Sequence, residues 1–381
     1  MVQEITTKSW GSRIISALWG VVFGIALVIG AFVLVFWNEG HGLHTAQSLE
    51  QAQTVLISVP NAPIDPNINM KVVYFNGQAT TENILHDNFF SLSENAISLD
   101  RKVEMYQWKE NVETQTESKL GGSEQETKTY TYKPVWSTEI IDSSEFKDPN
   151  GHQNPTQMPI QSFKQYAENV KVGDFQLPHD LITEIKGYTP INLEKMNVAE
   201  LQKKLHKPVH IDNENIYAGD DSQSPKVGDL KITLTESLPQ TVSIIAQQTG
   251  NTLQPFIAPA GQSVSLLEMG TQTPQVMIAN AISANAMMMW LLRFGSLIMM
   301  MIGLALLMNP IKILADFIPF LGSLVGFGTG LIAFLGGLLL WTCALAIAWF
   351  VVRPLLAIGL VIIVIGICFG ILKLKKKSLN K

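Results

Sequence analysis

Cysteine is nearly absent. The 381 residues hold two, Cys343 and Cys368, and both fall in apolar runs near the C-terminal end. The polar stretch between the first two apolar runs therefore has no disulfide, no thiol nucleophile and no cysteine-based zinc site. It also lacks an Asn-x-Ser/Thr acceptor, a nucleophile elbow, a phosphate loop and a zinc-protease helix motif. Charge is scarce as well, at 15% against the ~25% usual for soluble domains. It is also uneven. Between Asn38 and Met289 there are 17 Lys and Arg against 30 Asp and Glu, whereas the rest of the chain has 10 against only Glu4 and Asp316. The formal net charge of -5 thus joins an acidic, water-soluble block to a basic, apolar remainder. This division excludes a single soluble globule, a disordered chain and a nucleic-acid binder, since the block that would meet phosphates is itself acidic.

The apolar runs locate a membrane. Ile14 to Trp37 is free of charge for 24 residues, about 36 Å as a helix and enough for a ~30 Å hydrocarbon core. A cleavable signal peptide would have a shorter apolar region and a small-residue cleavage site. Trp37-Asn38-Glu39-Gly40 offers none. The reading is an uncleaved first span over residues 14–37 behind a cytosolic tail, 1–13. A polar α+β domain follows over 38–290, then a second span over 291–309, an interfacial segment over 310–327 bounded by Pro310 and Pro319, a third span over 328–351, a fourth over 354–372 and a basic tail over 373–381. The fold class expected is a membrane protein of four transmembrane helices carrying a large β-rich domain between helices 1 and 2. Lys8, Arg13, Lys312 and the tail lysines lie at one set of span ends, with only Arg293 and Arg353 at the other. By the positive-inside rule both termini are cytosolic and the acidic block is not.

Strand-like runs recur in the block at Thr54–Val59, Lys71–Phe75, Lys102–Trp108, Thr127–Trp136, Leu230–Thr235, Val242–Gln247 and Val264–Glu268. Helical patterns are expected over Pro159–Asn169 and over Val198–His206, the latter with Asn197 as N-cap. Glu113 to Thr127, with Gly121-Gly122, reads as a long hairpin tip or a loop. Lys171-Val172-Gly173-Asp174-Phe175 recurs as Lys226-Val227-Gly228-Asp229-Leu230, a turn followed by a strand. Thr273-Pro274 reads as an N-cap and first helical position leading into the second span. The Met287–Met289 and Met299–Met301 clusters read as packing or lipid-facing residues.

Candidates for chemistry are few. Glu39, His41 and His44 form a weak metal trio, better explained as polar residues at a helix end. His152 sits in the turn-like Gly151-His152-Gln153-Asn154-Pro155, and His206 and His210 have no acidic partner at ligand spacing. No cofactor is indicated. Within the spans, Gly322, Gly326 and Gly330 recur every fourth residue, and Gly20/Gly24 and Gly366/Gly370 repeat that spacing. Such faces permit close helix packing, within the chain or between copies. Ionisable residues sit only at span ends, which argues against an ion pathway.

Several segments, in order along the chain, carry a family resemblance. They are Phe36-Trp37-Asn38-Glu39-Gly40, Arg101-Lys102-Val103-Glu104-Met105-Tyr106-Gln107-Trp108, Trp136-Ser137, the Gly151 to Pro155 turn, Val227 to Leu230, Ala315-Asp316-Phe317-Ile318-Pro319 and Arg353-Pro354-Leu355. The chain resembles the LUMA (transmembrane protein 43) family of four-pass membrane proteins, found in the endoplasmic reticulum and inner nuclear membrane of animals and in bacteria. His41 is a departure, since the family usually has Arg after Asn-Glu-Gly. The motif candidates are Asn38, Glu39, Gly40, Glu104, Tyr106, Trp108, His152, Asn154, Pro155, Asp316, Arg353 and Pro354. The resemblance implies a self-associating scaffold that binds the lipid bilayer and other membrane proteins, and it supplies no catalytic residues. The compact tails and missing glycosylation acceptors lean toward a bacterial member, whose block would face the periplasm. The competing reading is an envelope enzyme or lipid handler with a site near Glu39, His41 and His44 or near His152.

Overall fold

The computed structural model describes residues 2–212, 214–354 and 358. Two compact units divide them: residues 2–4, 48–115 and 127–281 form the first, and residues 5–47, 116–126 and 282–354 the second.

The first unit is β-rich, as expected. One sheet runs in the order Val2–Lys8, Glu124–Ser137, Ser98–Ser118, Leu230–Ser237, Asn215–Ala218, Val209–Asp212, with Phe163–Tyr166 and Tyr188–Pro190 attached beside it. A second sheet is built on Gln240–Thr249, which pairs antiparallel with both Val72–Thr81 and Leu266–Met269. Strand Leu230–Ser237 alternates Leu230, Ile232 and Leu234 into the core, with Lys231, Thr233 and Thr235 less buried, as a strand with one solvated face requires. The apolar interior includes Phe75 stacked on Phe175, with ring centroids 4.3 Å apart. Six of the seven strand-like runs lie in strands. The exception is Thr54–Val59, where a helix continues to Val55 and only Ile57–Ser58 is extended.

Residues 159–169 correct the reading of a helix. Phe163–Tyr166 is a strand in register with Arg101 to Ser98. The Arg101 guanidinium lies 4.5 Å from the Phe163 ring centroid and donates to Gln161 O. Cross-strand packing outweighs the local i, i+3 pattern of Phe163 and Tyr166. Residues 113–127 are the end of a hairpin, with Gly121 (φ 82°) and Gly122 (φ 78°) supplying the left-handed turn that L side chains disfavour. Both copies of the repeat are turns with Gly at positive φ, leading into Phe175–Gln176 and Leu230–Ser237.

Five helices are found among the described residues: α1 (Trp10–Val55), α2 (His179–Glu184), α3 (Val198–Leu205), α4 (Pro274–Ala315) and α5 (Pro319–Val352). In α3, Asn197 caps as expected, accepting from Glu200 N at 3.2 Å. Thr273 Oγ1 likewise accepts from Val276 N at the start of α4. Three helices, α1, α4 and α5, are long and apolar enough to cross a membrane. They contain the expected spans 14–37, 291–309 and 328–351. Of the breaks expected at Pro310 and Pro319, α4 continues through Pro310, and the break falls at Asp316 to Ile318, with Pro319 at the first turn of α5. Pro310 removes one amide from a helix that neighbouring turns hold together, whereas Pro319 meets a chain already leaving the helix. The fourth span, with Gly366, Gly370 and Cys368, and the basic tail lie outside the described residues.

Within residues 1–13, Val2–Lys8 is a strand beside Glu124–Ser137. Glu4 belongs to the first unit, where the Tyr130 hydroxyl donates to its carboxylate (2.8 Å) and Lys147 pairs with it (3.0 Å). Lys8 is paired with Glu126, and Arg13 with Glu124 and Asp316.

Candidate functional site

The motif residues assemble in three places. At the first, α1, α4 and α5 of the second unit meet around Glu39, which is 1% exposed. Arg293 donates to both its oxygens, Nε at 2.6 Å and Nη2 at 2.8 Å, and the Trp349 indole adds a third bond at 2.9 Å. The guanidinium also lies over the rings of Trp290 (4.7 Å) and Trp349 (5.9 Å). A bidentate Arg–carboxylate pair fixes orientation as well as charge. Asn38 Nδ2 donates to Met289 O at 3.1 Å, so adjacent motif residues tie α1 to two points of α4. Gly40 has no neighbour within 4 Å of an added Cβ. The tight glycine is Gly42, which the sequence reading missed: its Cβ would meet Met289 Sδ at 2.3 Å. His41 leaves the trio and stacks on Trp37 (4.8 Å), while Asn285 donates to Gly42 O.

A second cluster lies at the other end of the charge-free part of α1. The Arg13 guanidinium is buried, donating to Asp316 and to Gly122 O (2.6 Å) and pairing with Glu124 (2.9 Å). Trp10 Nε1 donates to Ile313 O (2.8 Å), and Gly121 N to Phe317 O (3.1 Å). Asp316 thus fastens the break between α4 and α5 to α1 and to the hairpin tip. The glycine face divides here. Gly322 packs on Asp316 and Gly326 on the Lys312 side chain (3.2 Å from an added Cβ), whereas Gly330 has no neighbour within 4 Å among the described residues. Gly24 lies against Gly303, whose carbonyl oxygen would sit 2.7 Å from a Cβ, and Gly20 faces Leu306. Gly303 escaped notice because its partner glycine is on another helix. Arg353 caps α5 through its backbone, donating to Trp349 O (2.7 Å), and Pro354 follows it.

The third place is in the first unit. Asn154 accepts from Trp108 N (2.7 Å) and donates to Trp108 O (2.8 Å) and Ile141 O (3.1 Å), pinning a turn to a strand as another strand would. His152 stacks on Tyr132 (3.9 Å), meets Trp108 edge-on (4.9 Å), and has Nδ1 3.0 Å from Asp148 O. Pro155 packs beside Gly228, so the turn rests on the second repeat. Tyr106 lies 5.0 Å from Trp136. Glu104 pairs with Lys102 (3.0 Å) and Lys231 (3.1 Å). Burial raises its pKa, but the bonds and charges of the two lysines prevail and hold it below the ordinary carboxylate range. Burial and the adjacent Asp229 carboxylate push the Tyr217 hydroxyl well up, with Tyr217 donating to Asp229 at 2.6 Å.

A cleft of about 500 Å³ near His152 is lined by Lys109, Glu110, Trp136, Asp142, Glu145 and Phe146 among others. Within it Glu110 already accepts from Tyr132 and from Lys147 N, and Asp142 caps a 3-10 turn at Ser144. Among the described residues, no three His, Cys, Asp or Glu side chains are grouped so that they could hold a metal.

A family model described as Transmembrane protein 43 matches residues 105–354. Transmembrane protein 43 of Homo sapiens is 29% identical over 309 residues, covering 78% of this chain and 76% of that protein. The Rattus norvegicus protein matches with the same identity and coverage. The Transmembrane protein 43 homolog of Drosophila melanogaster is 25% identical over 287 residues, 74% of each chain. No solved structure matches the chain.

Proposed function

Because the chain belongs to the transmembrane protein 43 family, we propose that it is a non-enzymatic scaffold that organises membrane protein complexes through self-association and contacts with lipid and other membrane proteins. The observation that carries this reading is how the polar motif residues are used. Glu39 is saturated by Arg293 and Trp349, Asp316 is engaged by Arg13, and Asn154 is spent on the backbone of Trp108 and Ile141. Groups committed to holding helices and turns together are not poised for proton transfer or nucleophilic attack. What remains available among the described residues is surface: α5 exposes Phe327, Leu331, Phe334 and Leu338, and no described atom lies within 4 Å of a Cβ added at Gly328 or Gly330. Small residues on an open apolar helix face allow another helix to approach closely.

Chemical crosslinking and native mass spectrometry of the full chain in mild detergent test the proposal. Oligomers or co-purifying membrane proteins are expected, and Gly330→Leu should weaken the self-association without disturbing a contact among the described residues. A monomer with no partner under both methods refutes the scaffold reading.

A further inference from the structure

We propose that the free edge of strand Ser98–Ser118 pairs with the same edge of a second copy of this chain, antiparallel about a two-fold axis at Thr116. The proposal rests on the self-association of the preceding reading and gives it a contact surface. In an antiparallel strand, successive residues turn their backbone groups to opposite edges. On one edge, Lys119 N donates to Ser123 O across the hairpin turn, so odd-numbered residues here face Glu124–Ser137 and even-numbered residues face the other edge. That other edge is filled as far as Trp108. Leu230–Ser237 pairs with it up to Met105, Tyr106 N donates to Asp229 O and Gly228 N to Tyr106 O, and Asn154 takes both backbone groups of Trp108. Beyond Trp108, the backbone groups of Glu110, Val112, Thr114 and Thr116 have no partner among the described residues. The outer edge of Glu124–Ser137 is covered by Val2–Lys8, so this ribbon is shielded on one side and bare on the other.

A bare edge of this length is a template for another strand, and folds that avoid such pairing place Lys, Pro or a bulge on it. From Glu110 to Ser118 there is neither Lys nor Pro, Val112, Thr114 and Thr116 are β-branched, and residues 111–117 are all exposed. The sequence itself selects the occupant, because this stretch is complementary to its own reverse. With the axis at Thr116, Glu113 stands opposite the second copy's Lys119, and Val112 opposite its Leu120. Within one chain those two apolar side chains are left 48% and 83% exposed. Opposite charges and apolar pairs facing each other across strands stabilise, whereas like charges destabilise. Neighbouring registers lose this match. An axis at Gln115 sets Glu113 against Glu117, and one at Glu117 sets that carboxylate against its own counterpart. An axis at Thr114 carries the second copy's Leu120 to Trp108, where Asn154 already occupies the edge.

The test uses the full chain with Cys343→Ala and Cys368→Ala in mild detergent. Thr116→Cys, at an exposed position on the axis, faces its own counterpart with Cα atoms about 5.5 Å apart, within reach of a disulfide. Mild oxidation should therefore yield a covalent dimer on non-reducing gels. Adding Lys119→Glu sets a like-charge pair against Glu113 in each copy, and should lower the dimer formed at a fixed time about ten-fold. Glu113→Lys/Lys119→Glu exchanges the charges and should restore it. The inference is overturned if Thr116→Cys gives no covalent dimer, if Lys119→Glu leaves the yield unchanged, or if the exchange does not restore it. An extended segment of another protein on this edge would give the first of these results. Native mass spectrometry of the same samples keeps the two readings apart: oligomers without the Thr116→Cys disulfide refute this edge alone, whereas a monomer without partners refutes the scaffold as well.

Discussion

Glu39→Gln is the most informative perturbation of the helical unit. The substitution keeps size and hydrogen-bonding shape but removes the charge that neutralises Arg293, whose side chain is 9% exposed against 1% for Glu39. Solvent screening is therefore slight, and removing one partner of such a buried pair costs about 3–5 kcal/mol. The amide oxygen can still accept from Trp349, so a value near the lower end, about 3 kcal/mol, is expected. At 1.4 kcal/mol per decade this lowers the folded-to-unfolded ratio about 100-fold. Arg293→Met alone should cost a similar amount, because it leaves a buried carboxylate with only the indole bond. The double variant Glu39→Gln/Arg293→Met removes both charges, keeps bulk and leaves the amide oxygen to accept from Trp349, and should fall within about 1 kcal/mol of the parent. The coupling in this cycle is then about 5 kcal/mol, well beyond the additivity expected of independent sites. Denaturant titration of the full chain in mild detergent, followed by circular dichroism, measures all four corners. A Glu39→Gln change below about 0.5 kcal/mol, or a double variant as unstable as the sum of the singles, would refute the assignment of Glu39–Arg293 as the lock of the helical unit.

Other outcomes are equally definite. Asn154→Ala strands the Trp108 amide and should cost about 1–3 kcal/mol, with faster hydrogen exchange at Trp108 and Ile141. Gly24→Leu forces α1 from Gly303 and should destabilise by about 1–3 kcal/mol or more, while Gly330→Leu, with no described neighbour within 4 Å, should leave monomer stability unchanged in the same titration. The Glu236 carboxyl is raised by burial and by the nearby Glu94, and one of its oxygens is buried with no hydrogen-bond partner. A carboxyl whose folded pKa exceeds its unfolded value near 4.5 weakens the fold as pH rises from that value through the folded one. Glu236→Gln should therefore stabilise at pH 7, with the gain vanishing below the unfolded pKa. Glu104 has the opposite sign: burial opposes ionisation, but Lys102 and Lys231 hold it low, so its contribution is present above the unfolded value and is lost as pH falls through the folded pKa. Glu104→Gln should flatten the acid limb of the stability profile.

What the sequence alone determined follows from composition and short-range pattern. The long charge-free runs located α1, α4 and α5, because helix length against bilayer thickness is a one-dimensional property. Alternation located most strands, and Asn197 and Thr273 marked helix starts, since a cap and its amides lie within three residues of each other. The motif residues were likewise picked out, but as a list without partners. Tertiary structure decided the rest. Glu39 and Arg293 are 254 residues apart, and Arg13 and Asp316 303, so no local spacing reveals that the charges at the span ends neutralise one another. Phe163 to Tyr166 carries a helical spacing and becomes a strand, because the edge of Ser98–Ser118 beside it satisfies its backbone. Local chemistry sets most of the elements, whereas the edge strand at residues 163–166 and the pairing of distant charges and glycines are fixed only when the chain closes on itself.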